Sequence, residues 1–200
     1  MRVKVSRCTV DLQFLFAAAV TLMLIFDTGG TAALGLASCV AHELGHLVCL
    51  LYFGEQPRSV RLGAFGMRIE RTGAVMLNLR QECALALAGP GVNLLLALIF
   101  AVIRGENAQA FRQAALVNLG IALFNLLPIE SLDGGRALYY LLCAGKADEE
   151  KARKICSVLS VIVLLPLICL GVALLVASGY NFTLLLVSVY LFALLWFKGR

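Results

Sequence analysis

Histidine occurs twice in this 200-residue chain, at positions 42 and 46, and a glutamate follows the first directly. His42-Glu43-Leu44-Gly45-His46 is an H-E-x-x-H pattern. On a helix, residues i and i+4 project from one face, so both imidazoles can bind one metal ion while Glu43 reaches a water beside it as general base. Coincidence is the ordinary explanation of so short a pattern. Against it, both histidines of the chain fall inside the pattern. A glutamate within an apolar segment also costs about 2.5–3.5 kcal/mol on insertion scales, so a carboxylate kept there points to function. Imidazole and carboxylate ligands around an open position suit catalytic Zn2+.

Two histidines leave such a site one protein ligand short. The elongated H-E-x-x-H-x-x-G-x-x-H form is excluded, because Cys49 stands in place of its glycine and no third histidine exists. Among the 12 acidic residues, those beside an apolar run are Asp27, Glu130 and Asp133. Under the topology derived below, Asp27 falls on the far side of the membrane from His42 and His46, whereas Glu130 and Asp133 fall at their depth. Both lie in Asn125-Leu126-Leu127-Pro128-Ile129-Glu130-Ser131-Leu132-Asp133-Gly134-Gly135. Pro128 is expected to break a helix and the glycine pair to allow unusual backbone angles. Irregular backbone at membrane depth is tolerated where it is buried in protein or lines a cavity. Pro and Gly equally mark a plain helix exit.

The elements that must position these residues are apolar helices. The chain is 61% hydrophobic and 14% charged, against about 45–50% apolar residues in an ordinary soluble domain. Six runs are candidate spans: 12–26, 31–53, 83–103, 114–129, 155–177 and 182–197. The first is interrupted early by polar residues and followed by no small-residue cleavage site, so it is expected to stay as a helix. The expected fold is an all-α polytopic membrane protein with about six transmembrane helices. It forms one integral-membrane domain over 1–200, with no appended soluble regulatory domain. Of the 17 Lys and Arg residues, all but Arg104 and Arg112 fall on one side when the N-terminus is inside. The positive-inside rule then places both termini in the cytoplasm. Between the second and third runs, residues 67–71 alternate in character before Thr72-Gly73 and an apolar stretch at 74–77. A small β-hairpin or membrane-associated loop is expected there.

The seven cysteines form no C-x-x-C pair and sit mostly in apolar runs, as small buried hydrophobes do. The net charge of +5 flanks apolar segments instead of forming one patch. It reports membrane topology and gives no sign of nucleic acid as a partner.

The H-E-x-x-H pattern, followed by an N-x-x-P-x-x-x-L-D-G-G arrangement from Asn125 to Gly135, resembles the site-2 protease family of intramembrane metalloproteases. Within it, the likeness is to the short six-span, sporulation-type members. The resemblance implies that Asp133 is the third zinc ligand, that Asn125 lies near the scissile carbonyl and that the catalytic cavity faces the cytoplasm. It implies hydrolysis of peptide bonds within or beside transmembrane segments of membrane-protein substrates, with a membrane-protein regulator or inhibitor as a further partner. Ala88-Gly89-Pro90-Gly91-Val92-Asn93 resembles the small-residue motif of the same family's third span. Its glycines would let helices approach closely, and Asn93 is expected either to hydrogen-bond across that contact or to touch substrate. Sporulation-type members often carry a C-terminal nucleotide-binding domain, and regulation through one is not expected here. The alternative is a membrane metal-ion transporter using the same residues as a transit site. A transporter has no need of a glutamate between two ligands, and no inverted repeat is visible.

Overall fold

The computed structural model describes residues 2–5, 8–12, 14–27, 29–63, 66–103, 105, 107–145 and 147–198. Seven helices carry most of the described residues: α1 (Phe14–Ile25), α2 (Thr31–Tyr52), α3 (Leu79–Val102), α4 (Ala108–Asn125), α5 (Asp133–Ala144), α6 (Glu149–Ser178) and α7 (Thr183–Lys198). Three of them, α2, α3 and α6, are long and apolar enough to cross a membrane. At 1.5 Å per residue, the 22 residues of α2 reach about 33 Å, against a hydrocarbon core of about 30 Å. These three helices account for the expected spans at 31–53, 83–103 and 155–177, and they make the chain an integral membrane protein. The other expected spans are shorter or less apolar. α1 has 12 residues and α7 carries a short apolar stretch, Thr183–Phe197. α4 has 18 residues but is interrupted by Gln109, Arg112, Gln113 and Asn118.

The chain is mostly helical as expected, but the small hairpin expected beside the helices needs correction, because it belongs to a four-stranded sheet in the order β1-β2-β3-β4. β1 (Arg2–Val5) pairs antiparallel with β2 (Cys8–Leu12), β2 runs parallel to β3 (Pro57–Gly63), and β3 pairs antiparallel with β4 (Gly66–Arg71). A parallel pair needs a long crossover, and α1 and α2 supply the one between β2 and β3. The hairpin between α2 and α3 exists, but it lies N-terminal to its expected place. Residues 74–77, expected as its second strand, lie outside any strand.

That stretch is held instead by Glu55, whose residue is 0% exposed. The Thr72 hydroxyl and the Gly73 backbone N–H donate to one carboxylate oxygen at 2.7 and 2.8 Å, and the Val75 N–H donates to the other at 2.7 Å. The Thr72 hydroxyl, followed by the backbone N–H groups of Val75, Gly73 and Ala74, holds the Glu55 carboxyl below its ordinary value. On the other side of α2, Asp27 accepts the Ala33 N–H at 2.9 Å. It thereby satisfies one of the orphan donors at the helix start.

The chain divides into two compact units. The first runs through Asn78 and takes in Ala88–Ala122. Lipid is as apolar as leucine, so helices in a membrane are joined by close packing and hydrogen bonds more than by the hydrophobic effect. Both devices appear in this unit. A Cβ on Gly45 would stand 2.8 Å from the Ala88 carbonyl oxygen and from Val92 Cγ2, so glycine is what lets α2 lie against α3. The buried side chains of Ser38, His42, Asn93 and Asn118 form a polar interior. The second unit comprises Leu79–Leu87 and the chain from Leu123 onward. Its core groups Ile129, Leu164 and Leu191, with a smaller cluster of Cys83, Ala86 and Ala137. α6 and α7 meet where a Cβ on Gly171 would lie 2.7 Å from Leu185 Cα.

Candidate metal centre

The 3.6-residue period of α2 stacks His42 and His46 one turn apart, and their Nε2 atoms converge to 3.2 Å. The ring centroids are 4.9 Å apart with planes at 75°, so the rings meet edge to face with their Nε2 atoms closer together than their centres. Tetrahedral zinc with Zn–N bonds of 2.0–2.1 Å places two ligand nitrogens about 3.3 Å apart. The observed separation fits that edge without movement of either ring. Space at the point of convergence is made by α3: a Cβ on Gly89 would stand 2.6 Å from His42 Nε2 and would collide with His46 Nε2. Glycine is required there by the close approach. Gly91, two residues on, has nothing within 4 Å of such a Cβ.

Glu43 lies half-buried between the two histidines on the same helix, while Leu44 and Val48 are exposed on another face. His42 is backed by polar groups: its Nδ1 lies 2.6 Å from Asn93 Oδ1. Asn93 is 0% exposed, and its amide also donates to the Ser38 carbonyl and to Asn118 Oδ1.

In the second unit, α4 ends at Asn125, three residues before Pro128, and the chain turns until α5 opens with Asp133. Asp133 sits in the first helical turn, is 8% exposed, and has Arg136 Nη1 at 3.8 Å. An anionic side chain is favoured at a helix N-terminus. The expectation that Gly134 and Gly135 supply unusual backbone angles is corrected, since neither has a positive φ. They are needed for proximity: a Cβ on Gly134 would strike the Leu126 carbonyl, and one on Gly135 the Ile129 carbonyl. The turn carrying Glu130 is fixed by its N–H donating to Ser160 Oγ at 2.8 Å.

His42 and His46 in the first unit, and Asp133 in the second, are each able to offer one ligand atom to a metal ion. Two imidazoles and a carboxylate are the donor set of catalytic zinc sites. Sequence reasoning named these three and Glu43, and it missed Asn118. The available signal was an asparagine inside an apolar run, where polar side chains are seldom idle.

A helix-borne imidazole pair with polar backing, in a chain with bilayer-length helices, describes an integral membrane protein with side chains able to hold a metal ion. Residues 104–167 match Peptidase family M50. The chain is 35% identical to Rip3 of Mycobacterium tuberculosis, a protein named as a zinc metalloprotease, over 159 residues covering 75% of this chain and 40% of that one. It is 32% identical to Stage IV sporulation protein FB of Bacillus subtilis over 117 residues, 57% of this chain and 40% of that one. It therefore spans about two fifths of the length of these curated relatives. The solved site-2 protease from Methanocaldococcus jannaschii shares the fold with a TM-score of 0.67 at 22% identity, covering 100% of this chain and 95% of that one. Residues 104–167 thus resemble peptidase family M50, and the chain has the fold of the solved site-2 protease.

Proposed function

We propose that this protein is an intramembrane zinc metalloprotease that hydrolyses peptide bonds within or next to transmembrane segments of membrane proteins. The observation that carries the reading is the convergence of His42 and His46 Nε2 at 3.2 Å, over a glycine where a Cβ would fill the space, with Glu43 between them. In this reading His42, His46 and Asp133 hold the ion. When bound, zinc supplies Lewis acidity that acidifies a water and polarises the scissile carbonyl.

The rest is done by the chain itself. Glu43 takes a proton from the water as its oxygen adds to the carbonyl carbon, and it gives a proton to the nitrogen when the C–N bond breaks. The Asn125 side-chain amide donates to the carbonyl oxygen as it gains charge. A substrate helix must unwind locally first, because its carbonyls are committed to intrahelical hydrogen bonds.

Six spans with both termini in the cytoplasm complete the proposal, supported by the distribution of Lys and Arg in the sequence. A membrane-protein regulator belongs to it as a further partner. The name of the Bacillus relative supports a sporulation role, with general membrane proteolysis as the broader alternative. The test is cleavage of a transmembrane peptide by the purified chain in proteoliposomes. Chelation should abolish cleavage and zinc restore it, and Glu43→Gln should lower the rate by about 10²–10⁴-fold while zinc content stays at the wild-type level. Cleavage that survives chelation, or a fully active Glu43→Gln, sinks the proposal.

A further inference from the structure

Asn93 and Asn118 connect two backbone carbonyls to the imidazole of His42. Asn118 Nδ2 donates to the Ala114 carbonyl at 2.9 Å. Asn93 Nδ2 donates to Asn118 Oδ1 at 2.8 Å and to the Ser38 carbonyl at 3.1 Å. Asn93 Oδ1 faces His42 Nδ1 at 2.6 Å. Asn93 and Asn118 are 0% and 1% exposed, so water is in no position to substitute for a mismatched partner.

Exchanging O and N of an asparagine amide is ordinarily a matter of assignment. Here the backbone decides it. A carbonyl accepts hydrogen bonds and never donates. The Ala114 carbonyl requires the NH2 of Asn118, which turns Asn118 Oδ1 toward Asn93. Asn93 then meets two acceptors on one side, the Ser38 carbonyl and Asn118 Oδ1, and must direct its NH2 there. Its Oδ1 is left for His42, and an acceptor at that position requires a proton on Nδ1. The lone pair of a neutral His42 is thereby confined to Nε2, the atom facing His46 Nε2 at 3.2 Å.

We propose that Asn118 and Asn93 act as a tautomer relay, fixing His42 with its proton on Nδ1 so that Nε2 is ready for a metal before any ion arrives. Both are positioning residues, and neither needs to touch substrate. Ligating histidines usually give their second N–H to a carboxylate, a backbone carbonyl or water. Two amides do the same work without adding a further charge to a membrane interior, where charge is costly. The inference rests on His42 as a ligand in the proposed protease, and it makes Asn93 a support for the metal site.

The test begins with the metal-free full chain in detergent micelles, labelled with 15N-histidine, at a pH about two units above the ordinary imidazole value of ~6.5. Only two imidazoles contribute, and the signal lost in His42→Gln is that of His42. The expected spectrum shows His42 with a protonated Nδ1 and a bare Nε2. Asn93→Leu should release that preference and weaken Co2+ and Zn2+ binding by about 10–100-fold. Asn93→Asp, which keeps an acceptor at Nδ1, should restore the tautomer. Asn118→Leu should have a smaller effect, because the Ser38 carbonyl still orients Asn93. A metal-free wild type carrying its His42 proton on Nε2 overturns the relay whether or not any variant folds. So does a folded Asn93→Leu that binds metal within about twofold of wild type. The expected tautomer in a protein that binds no zinc leaves the relay standing and removes the protease reading instead, so the two failures are separable.

Discussion

Gly89 faces His42 so closely that a Cβ on it would stand 2.6 Å from Nε2, the atom assigned to the metal. Gly89→Ala is therefore expected to lose zinc by about tenfold or more, a penalty comparable to losing a conserved support of a metal ligand. Alanine is the better helix former by about 1 kcal/mol, so the loss will not come from weakening α3. Gly91→Ala is the control, since nothing lies within 4 Å of its Cβ. Zinc content by mass spectrometry, alongside thermal unfolding, checks both. Equal zinc in the two variants would show that the space over the imidazoles is not where the ion sits.

Asp133 and Glu130 were left together by residue chemistry alone, and substitution separates them. Asp133→Ala is expected to strip most of the zinc, because two imidazoles alone make an incomplete catalytic site. Glu130→Ala should leave zinc content near wild type, because the backbone N–H that ties this residue to Ser160 Oγ survives the substitution. Metal analysis showing the reverse would transfer the third ligand to Glu130.

The histidine pair was legible because helical period alone brings i and i+4 together. Its support was not legible. Asn118 in an apolar run announces a buried polar group, but which partner it meets depends on how α2, α3 and α4 pack. Gly73 misplaced the hairpin: it carries a turn signal and does adopt φ 72°, yet it lies beyond β4 in the stretch held by Glu55. α5 was missed because it opens on Asp133-Gly134-Gly135. Glycine disfavours a helix interior by about 1 kcal/mol relative to alanine, and here packing against the Leu126 and Ile129 carbonyls overrides that preference. β2 was hidden because its partner β3 lies some fifty residues away along the chain, and β1 in turn pairs with β2.

The Glu55 clasp carries a pH dependence. Its folded-state pKa lies below the ordinary 4.5, so the stability it lends is present above that ordinary value and is lost as pH falls through the lower folded value. Residues 72–75 should stay protected from amide exchange at neutral pH and open below the usual glutamate range. Glu55→Gln, which gives up a charged acceptor, should open them at neutral pH as well. Hydrogen exchange of a peptide covering 72–78, corrected for intrinsic rates, reads this directly. A protection profile that stays flat through the acidic window in wild type would show that the carboxylate is not what holds the segment.

The number of crossings is decided by where the C-terminus lies. If only α2, α3 and α6 cross, the two termini sit on opposite faces, whereas six crossings put them on the same face. Helix lengths alone favour the smaller number, because the 12, 18 and 16 residues of α1, α4 and α7 reach only about 18, 27 and 24 Å against a core of about 30 Å. That shortfall is affordable for α4 and α7, since mismatch costs fractions of a kcal/mol per Å and is met by local thinning of the bilayer. α1 is the demanding case, and its flanking sheet must then sit close to the lipid. Charge argues for six: with that count, only Arg104 and Arg112 of the 17 basic residues face outward, the asymmetry the positive-inside rule requires. Accessibility tags at both ends and within 54–78 should therefore report the cytoplasm, and one at Gly105 the exterior. An external C-terminal tag with 54–78 still internal would remove α7, whereas loss of α1 would instead turn the N-terminal tag external.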